Sequence, residues 1–300
     1  MISRRDFLGR ASALSAVVAL TGRCAISPAE RLGLPLGLQL YSVRQQLATD
    51  YEDTLQLVGS VGYREVEAAG FYKRSALEIK YAMQKANLRC VSAHYPFAEL
   101  RAHLDEILTF AQIVGIQYLI CASPGFKAPD AAAAKGRVLS LEDWRWNAEQ
   151  FNEIGTKAAG AGLQFGYHNH VREFAVTEGV VPYMELLRLT DPAKVTLELD
   201  CGWAVVAGAA PESLLRDYPG RFSILHVKDF KRGTVSNVGA IEPEPIVTEL
   251  GLGSIDYRPI FAQAAKTQKI KHLFVEQEAF DMPYMQSLKL DADYMHGMKI

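Results

Sequence analysis

Three ionisable side chains, His168, His170 and Glu173, fall within six residues of the stretch FGYHNHVREF, at the end of an apolar run. Imidazoles and a carboxylate this close together suit metal ligation or proton transfer. Gly162 to Tyr167 reads as a buried strand after a Gly-terminated helix. Alternate residues of a strand share a face, so His168 and His170 are expected to project together. Such a site needs partners from other strands, and three more runs end in suitable residues. Asp200 ends LELD, His226 sits in LHVKD and Glu276 ends LFVE. With His168 they make two carboxylates and two imidazoles, a mixed oxygen and nitrogen set without thiolates. That set suits Mn²⁺, Zn²⁺, Co²⁺ or Fe²⁺ rather than Ca²⁺. Taken singly, each residue has a plainer role. Asp200 before Cys201-Gly202-Trp203 could cap a helix, and a lone strand histidine is usually hydrogen-bonded within a core. Glu276 resists such a reading, because a carboxylate beside Phe274 and Val275 needs a cation.

Other polar residues gather at the same ends of apolar runs: Gln39 and Tyr41, Glu67, His94 and Lys228. Lys228 shares the face of His226, where its ammonium could stabilise an oxyanion or hold a substrate hydroxyl; it could equally open a surface loop. Asp229 falls on the other face and is expected to cap. His94 is a substrate contact or a loop histidine before Pro96. Glu67 shares a face with Glu65, and one of the two is expected to be solvated. Trp203 and Phe71 offer ring faces on which carbohydrates stack, although core packing also accounts for them. Trp144 and Trp146 are assigned to helix packing.

The elements that must position these residues follow a regular pattern. Short apolar runs occur at Leu36–Tyr41, Tyr63–Ala68, Leu88–His94, Tyr118–Ala122, Leu163–His168, Val195–Asp200, Phe222–Val227 and Leu273–Glu276. Between them, helical spacing covers Thr54 to Val61, Leu100 to Ala111 and Trp144 to Ala161, closed by Gly62, Gly115 and Gly162. Eight strand-like runs joined by helices indicate parallel β/α repetition and predict a (β/α)8 TIM barrel, with a doubly wound open sheet as the alternative. A barrel builds its active site at the C-terminal ends of its strands, where the polar residues lie. No Gly-x-Gly-x-x-Gly follows an early strand, so nothing supports dinucleotide binding. Two long irregular stretches, Lys127–Leu139 and Lys231–Gly253, are candidate lids over that face.

The chain has 300 residues, 49% of them hydrophobic, and a formal charge of −2. The core is ample, and no general affinity for polyanions is implied. Ser3-Arg4-Arg5-Asp6-Phe7-Leu8 precedes an uncharged run from Ala11 to Thr21, too short for a mature membrane span. The segment resembles a twin-arginine export signal. Residues 1–30 are therefore set apart as a signal peptide, leaving 31–300 as one domain, exported to the periplasm without stable membrane association. Cys90, Cys121 and Cys201 remain, an odd and widely spaced set that suggests neither disulfides nor a thiolate metal site.

In their order, GLQLYSVR (37–44), GYREVEAAG (62–70), YHNHVREF (167–174), LELDCGW (197–203), LHVKDF (225–230) and VEQE (275–278) resemble the sugar phosphate isomerase/epimerase family, the xylose isomerase-like TIM barrels. The YHNH form looks like the inosose-dehydratase-like branch. The resemblance implies one divalent metal, Mn²⁺ first, held by a Glu, Asp, His, Glu set, and a homodimer as a family-level expectation. Asp200, His226 and Glu276 match the last three positions. His168 stands where the epimerases carry the Glu that is both ligand and proton carrier. The fourth ligand is thus His168 or Glu173, and proton transfer falls to Glu276, Glu173 or His170. Leu252 also replaces a Glu common in relatives. The expected activity is isomerisation, epimerisation or dehydration of a keto-sugar or sugar derivative, with Gln39, Tyr41, Glu67, His94 and Trp203 against the substrate. The alternatives are an exported, non-catalytic carbohydrate-binding barrel and a metal-dependent nuclease of the AP-endonuclease branch. The export signal and near-neutral charge disfavour the nuclease, so no nucleic-acid partner is expected.

Overall fold

The structure, a computed structural model, describes residues 32–128, 138–231 and 245–298. The expected signal peptide lies outside the described residues, as do 129–137 and 232–244 of the two candidate lids.

Each of the eight apolar runs yields one barrel strand. They are β1 (Gly37–Gln39), β2 (Glu65–Ala68), β3 (Arg89–Pro96), β4 (Tyr118–Ser123), β5 (Gln164–His168), β6 (Val195–Asp200), β7 (Phe222–Val227) and β8 (His272–Val275). All eight pair in parallel and close into a barrel in the order β1-β8-β7-β6-β5-β4-β3-β2. Strand β6, VTLELD, is buried at every position. Burial on both faces is what a strand between a helix layer and a filled barrel interior experiences. The expected TIM barrel is therefore the observed fold.

Helices α1 (Tyr51–Val61), α2 (Phe97–Val114), α3 (Leu141–Gly160), α4 (Cys201–Val206) and α5 (Tyr284–Gly297) are among those packed around it. Helix α1 starts at Asp50, whose side chain accepts from Asp53 N. Helix α3 starts with a reciprocal box between Ser140 and Asp143, then buries Trp144, Phe151 and Ile154. Trp146 sits edge-on to Phe97, at 5.2 Å between ring centres. Cys90, Cys121 and Cys201 are buried free thiols, and burial pushes Cys90 and Cys121 up to about 12.

A small apolar cluster of Val91, Ile120, Ile224 and Phe274, separate from the outer core, plugs the barrel. A side chain at Gly37 would place its Cβ 2.5 Å from Phe274 Cδ1, so the first strand must be bare there. Below the plug, Glu65 accepts from Arg89 at 2.6 Å and pairs with His272 Nδ1 at 2.7 Å. Glu65 and Glu67 are 1% and 0% exposed, so neither is solvated as the shared face suggested. The barrel interior takes both.

Asp229 also departs from expectation. No helix follows β7 directly; Asp229–Phe230 instead pairs antiparallel with Val247–Thr248. The Asp229 carboxylate, having no helix to cap, accepts from the backbone N–H groups of Phe230, Gly251, Gly253, Ser254 and Ile255. It ties the returning loop to the strand end.

Candidate active site at the barrel mouth

Register brings the strand-end residues into one layer above the plug. Pairing of β5 with β6 sets His168 beside Glu198, and pairing of β6 with β7 sets Asp200 beside His226. One ligand atom from each of His168, Asp200, His226 and Glu276 lies within 4.8 Å of the others, and all four side chains are buried. Asp200 fills two roles. Its Oδ1 caps α4 by accepting from Trp203 N at 2.7 Å, while its Oδ2 faces the cluster, 3.8 Å from His168 Nε2. Asn169 holds the strand end by accepting from Asp200 N and donating to Asp200 O.

Further carboxylates grip the imidazoles. Glu198 Oε2 lies 2.9 Å from His168 Nδ1 and 2.7 Å from His94 Nε2. Glu67 Oε2 lies 2.6 Å from His226 Nε2 and 2.9 Å from His94 Nε2. Glu67 itself accepts from Gln39 Nε2 at 2.7 Å and from Ser92 Oγ at 2.5 Å. Glu276 Oε2 lies 3.1 Å from His226 Nδ1. Lys228 is fully buried, with Nζ 2.9 Å from Asp200 Oδ2, 2.8 Å from Glu276 Oε2 and 2.5 Å from Glu278 Oε1. Trp203 donates Nε1 to the same Glu278 oxygen, and its ring lies 5.0 Å from Lys228 Nζ.

These contacts set the charge states. Burial alone raises Glu67, yet the bonded imidazoles of His94 and His226 hold it well below the usual carboxylate range. His94, despite burial, is raised to about 10 by Glu67 and Glu198, and His226 is raised by the same pair. Lys228 resists burial through Asp200, Glu276 and Glu278, which hold it well above its ordinary value. Lys228 and His226 in turn keep Glu276 ionised in spite of its burial. Asp200 is raised, chiefly by burial. His168 goes the other way: burial, then the neighbouring imidazoles, push it well down, so it is neutral.

The donor set fits a divalent cation. A neutral imidazole offers a lone pair, and two buried carboxylate oxygens of the layer, Asp200 Oδ2 and Glu198 Oε1, have no aligned hydrogen bond, the second lying 3.3 Å from His226 Nε2. Lys228 stands near the first as a charge without an aligned bond. Buried acceptors of this kind call for a cation.

The other expected residues are placed as follows. Gln39 is spent on Glu67 and, through Oε1, on Tyr41 N. Tyr41 is 41% exposed beneath Arg44, outside the cluster. Strand β5 ends at His168, so His170 leaves the strand and becomes exposed, its ring edge-on to His168 at 4.8 Å. Glu173 Oε1 accepts from Tyr167 OH at 2.6 Å and from His170 N at 3.0 Å, bracing that turn. Phe71 packs against Phe110, at 4.6 Å between ring centres, and against Tyr95. Two participants went unremarked in the sequence, Glu198 and Glu278. Each stands two residues from a singled-out carboxylate, Glu198 on the β6 face of Asp200 and Glu278 beyond Glu276 in the segment after β8.

A model of the xylose isomerase-like TIM barrel family matches residues 55–297. The chain belongs to this family. It is 24% identical over 246 residues to the inosose dehydratase of Clostridium botulinum (strain Alaska E43 / Type E3), covering 76% of this chain and 82% of that protein. The structure superimposes on a sugar phosphate isomerase/epimerase from Parabacteroides distasonis ATCC 8503 with a TM-score of 0.67 at 25% identity, covering 87% and 93% of the two chains. It shares its fold with the IOLI protein, solved with a bound zinc atom, at a TM-score of 0.67 and 12% identity over 87% and 96% of the chains. Family members and relatives named for isomerase, epimerase and dehydratase activities make a carbohydrate-acting enzyme the coarse class.

Proposed function

We propose that the protein is a divalent-metal-dependent enzyme that moves a proton next to the carbonyl of a keto-sugar or sugar derivative. Isomerisation, epimerisation and dehydration are the outcomes open to that step. The observation that carries this reading is the convergence of His168, Asp200, His226 and Glu276 at the C-terminal mouth of the barrel. A cation held there, Mn²⁺ first and Zn²⁺, Co²⁺ or Fe²⁺ as alternatives, would polarise the substrate carbonyl and acidify the adjacent C–H. Glu67 and Glu198 fix the rings of His168 and His226 from behind. Lys228 supplies a buried positive charge for the substrate oxygen on which negative charge develops. Glu276 or the exposed His170 would take and return the proton, with Glu173 bracing the turn that carries His170. Arg4-Arg5 and the apolar run after it support export to the periplasm, which favours an unphosphorylated sugar.

Deuterium uptake from D₂O into a panel of keto-sugars tests the reading. Exchange should require added Mn²⁺ after chelation and vanish in Asp200→Ala. Absence of exchange in the metal-loaded protein across the panel would overturn it. One observation favours a second reading. Lys228 Nζ lies within 2.9 Å of both Asp200 Oδ2 and Glu276 Oε2 and so already partly neutralises two proposed ligands. With His168 in place of the epimerase Glu, this suits a barrel that binds a sugar without metal and without turnover.

A further inference from the structure

A cavity of about 520 Å³ opens beside the ionisable cluster, walled by Phe126, Leu139, Trp144 and Trp203 among mainly apolar side chains. Its volume lies in the range of small-molecule sites, roughly 300–1,000 Å³. The chemistry of its wall differs from that of the cluster. A sugar carries an oxygen on nearly every carbon, and each one left without a partner on binding costs about 1–3 kcal/mol. The layer of Glu67, His94, His168, Asp200, His226 and Glu276 is dense in groups that can meet those oxygens; the cavity wall offers few. Its polar contributors are Ser123, His170, Arg172 and Glu173. Of these, Glu173 is turned into the wall, with Oε1 taken by Tyr167 OH and His170 N and Oε2 buried.

The cavity adjoins the cluster through two shared neighbours, Trp203 and His170. Trp203 faces the cavity, yet donates Nε1 to Glu278 and stands 5.0 Å from Lys228 Nζ. His170 also lines the cavity, with its ring 4.8 Å from His168 and 6.4 Å from Trp203. A ligand whose sugar reaches the cluster along His170 and Trp203 would carry an attached group into this aromatic-walled chamber.

We propose that this chamber is a subsite for an aromatic substituent, and that the substrate is an aryl-substituted sugar rather than a free one. The assignment rests on the proposed function in taking the cluster as the sugar's place. Calorimetric titration of the full chain with 4-nitrophenyl and methyl glycosides of glucose, galactose, xylose and mannose tests it. For at least one sugar the aryl glycoside should bind about tenfold or more tighter than the methyl glycoside. Phe126→Ala should reduce that preference about tenfold, and Leu139→Trp, which fills the chamber, should abolish it, with methyl-glycoside affinity unchanged. Circular dichroism and metal content check that both variants fold. An absent aryl preference across the panel overturns the subsite, as does a preference that both folded variants keep. The two proposals fail separately. Exchange into keto-sugars without aryl preference sinks only the subsite, whereas aryl preference without metal or exchange sinks only the catalytic reading.

Discussion

Glu198 touches three histidines at once, through Oε2 to His168 and His94 and through Oε1 to His226 at 3.3 Å. A carboxylate behind a ligating imidazole fixes its tautomer and orientation, and its loss typically costs about 10–100-fold in metal affinity. Glu198→Gln should weaken Mn²⁺ binding by that factor in calorimetric titration, with circular dichroism unchanged. Equal affinity in the variant would remove Glu198 from the site's support. Lys228 separates the two functional readings. If it serves catalysis, Lys228→Met keeps bound metal while deuterium exchange falls by about 10²–10³-fold. If it is the permanent counter-ion of a metal-free barrel, the same change leaves Asp200 and Glu276 buried without their ammonium and destabilises the fold by about 3–5 kcal/mol. At this scale the sequence was informative but unevenly so. The alternate spacing that groups His168 with His170 also groups Glu198 with Asp200 and Glu278 with Glu276. For His170 that spacing misleads, because the strand stops at His168.

Among the elements, the loop after the short ribbon depends on one side chain. Asp229 accepts five backbone N–H groups, and a Cβ at Gly253 would fall 2.2 Å from its Oδ1. Hydrogen bonds to charged groups are worth about 1.5–3 kcal/mol each. Asp229→Ala should therefore cost about 3 kcal/mol or more in urea unfolding, and Gly253→Ala should destabilise as well; a wild-type midpoint for Asp229→Ala would contradict the role. Helix α5 is tied to the same loop, since Asp291 Oδ1 accepts from Leu250 N at 2.7 Å. Burial raises Asp291 to about 7. Between the ordinary Asp range and pH 7 the folded chain keeps a proton that the unfolded chain releases. Stability should thus fall as pH rises through that window, by at most about 1.4 kcal/mol per pH unit. Asp291→Asn should flatten that dependence in urea titrations between pH 5 and pH 7, and an unchanged slope would refute it. The same helix shows why some elements are hard to read. Two of the residues that α5 buries, Ser287 and Asp291, are polar and break its apolar stripe. The helices delineated in the sequence, by contrast, bury unbroken rows such as Leu104, Ile107, Leu108 and Ala111.

For the whole molecule, the barrel was legible because each of eight apolar runs is a separate strand and the polar residues favour one end of them. The pairing of those polar residues was not legible, because it depends on strand register. A shift between Leu197 and Glu198, for example, sets Asp200 rather than Cys201 beside His226. Among the described residues no helix is long and apolar enough to cross a membrane. Binding of a cation to the folded state alone should raise stability by about 2.7 kcal/mol at a hundredfold excess over Kd. The most direct test is the metal content of the purified protein by mass spectrometry, beside an Asp200→Ala/Glu276→Ala variant. The account predicts about one transition metal per chain, lost in the variant. A protein that stays metal-free after addition of Mn²⁺ or Zn²⁺ would contradict it and leave Lys228 as the cation of a sugar-binding barrel.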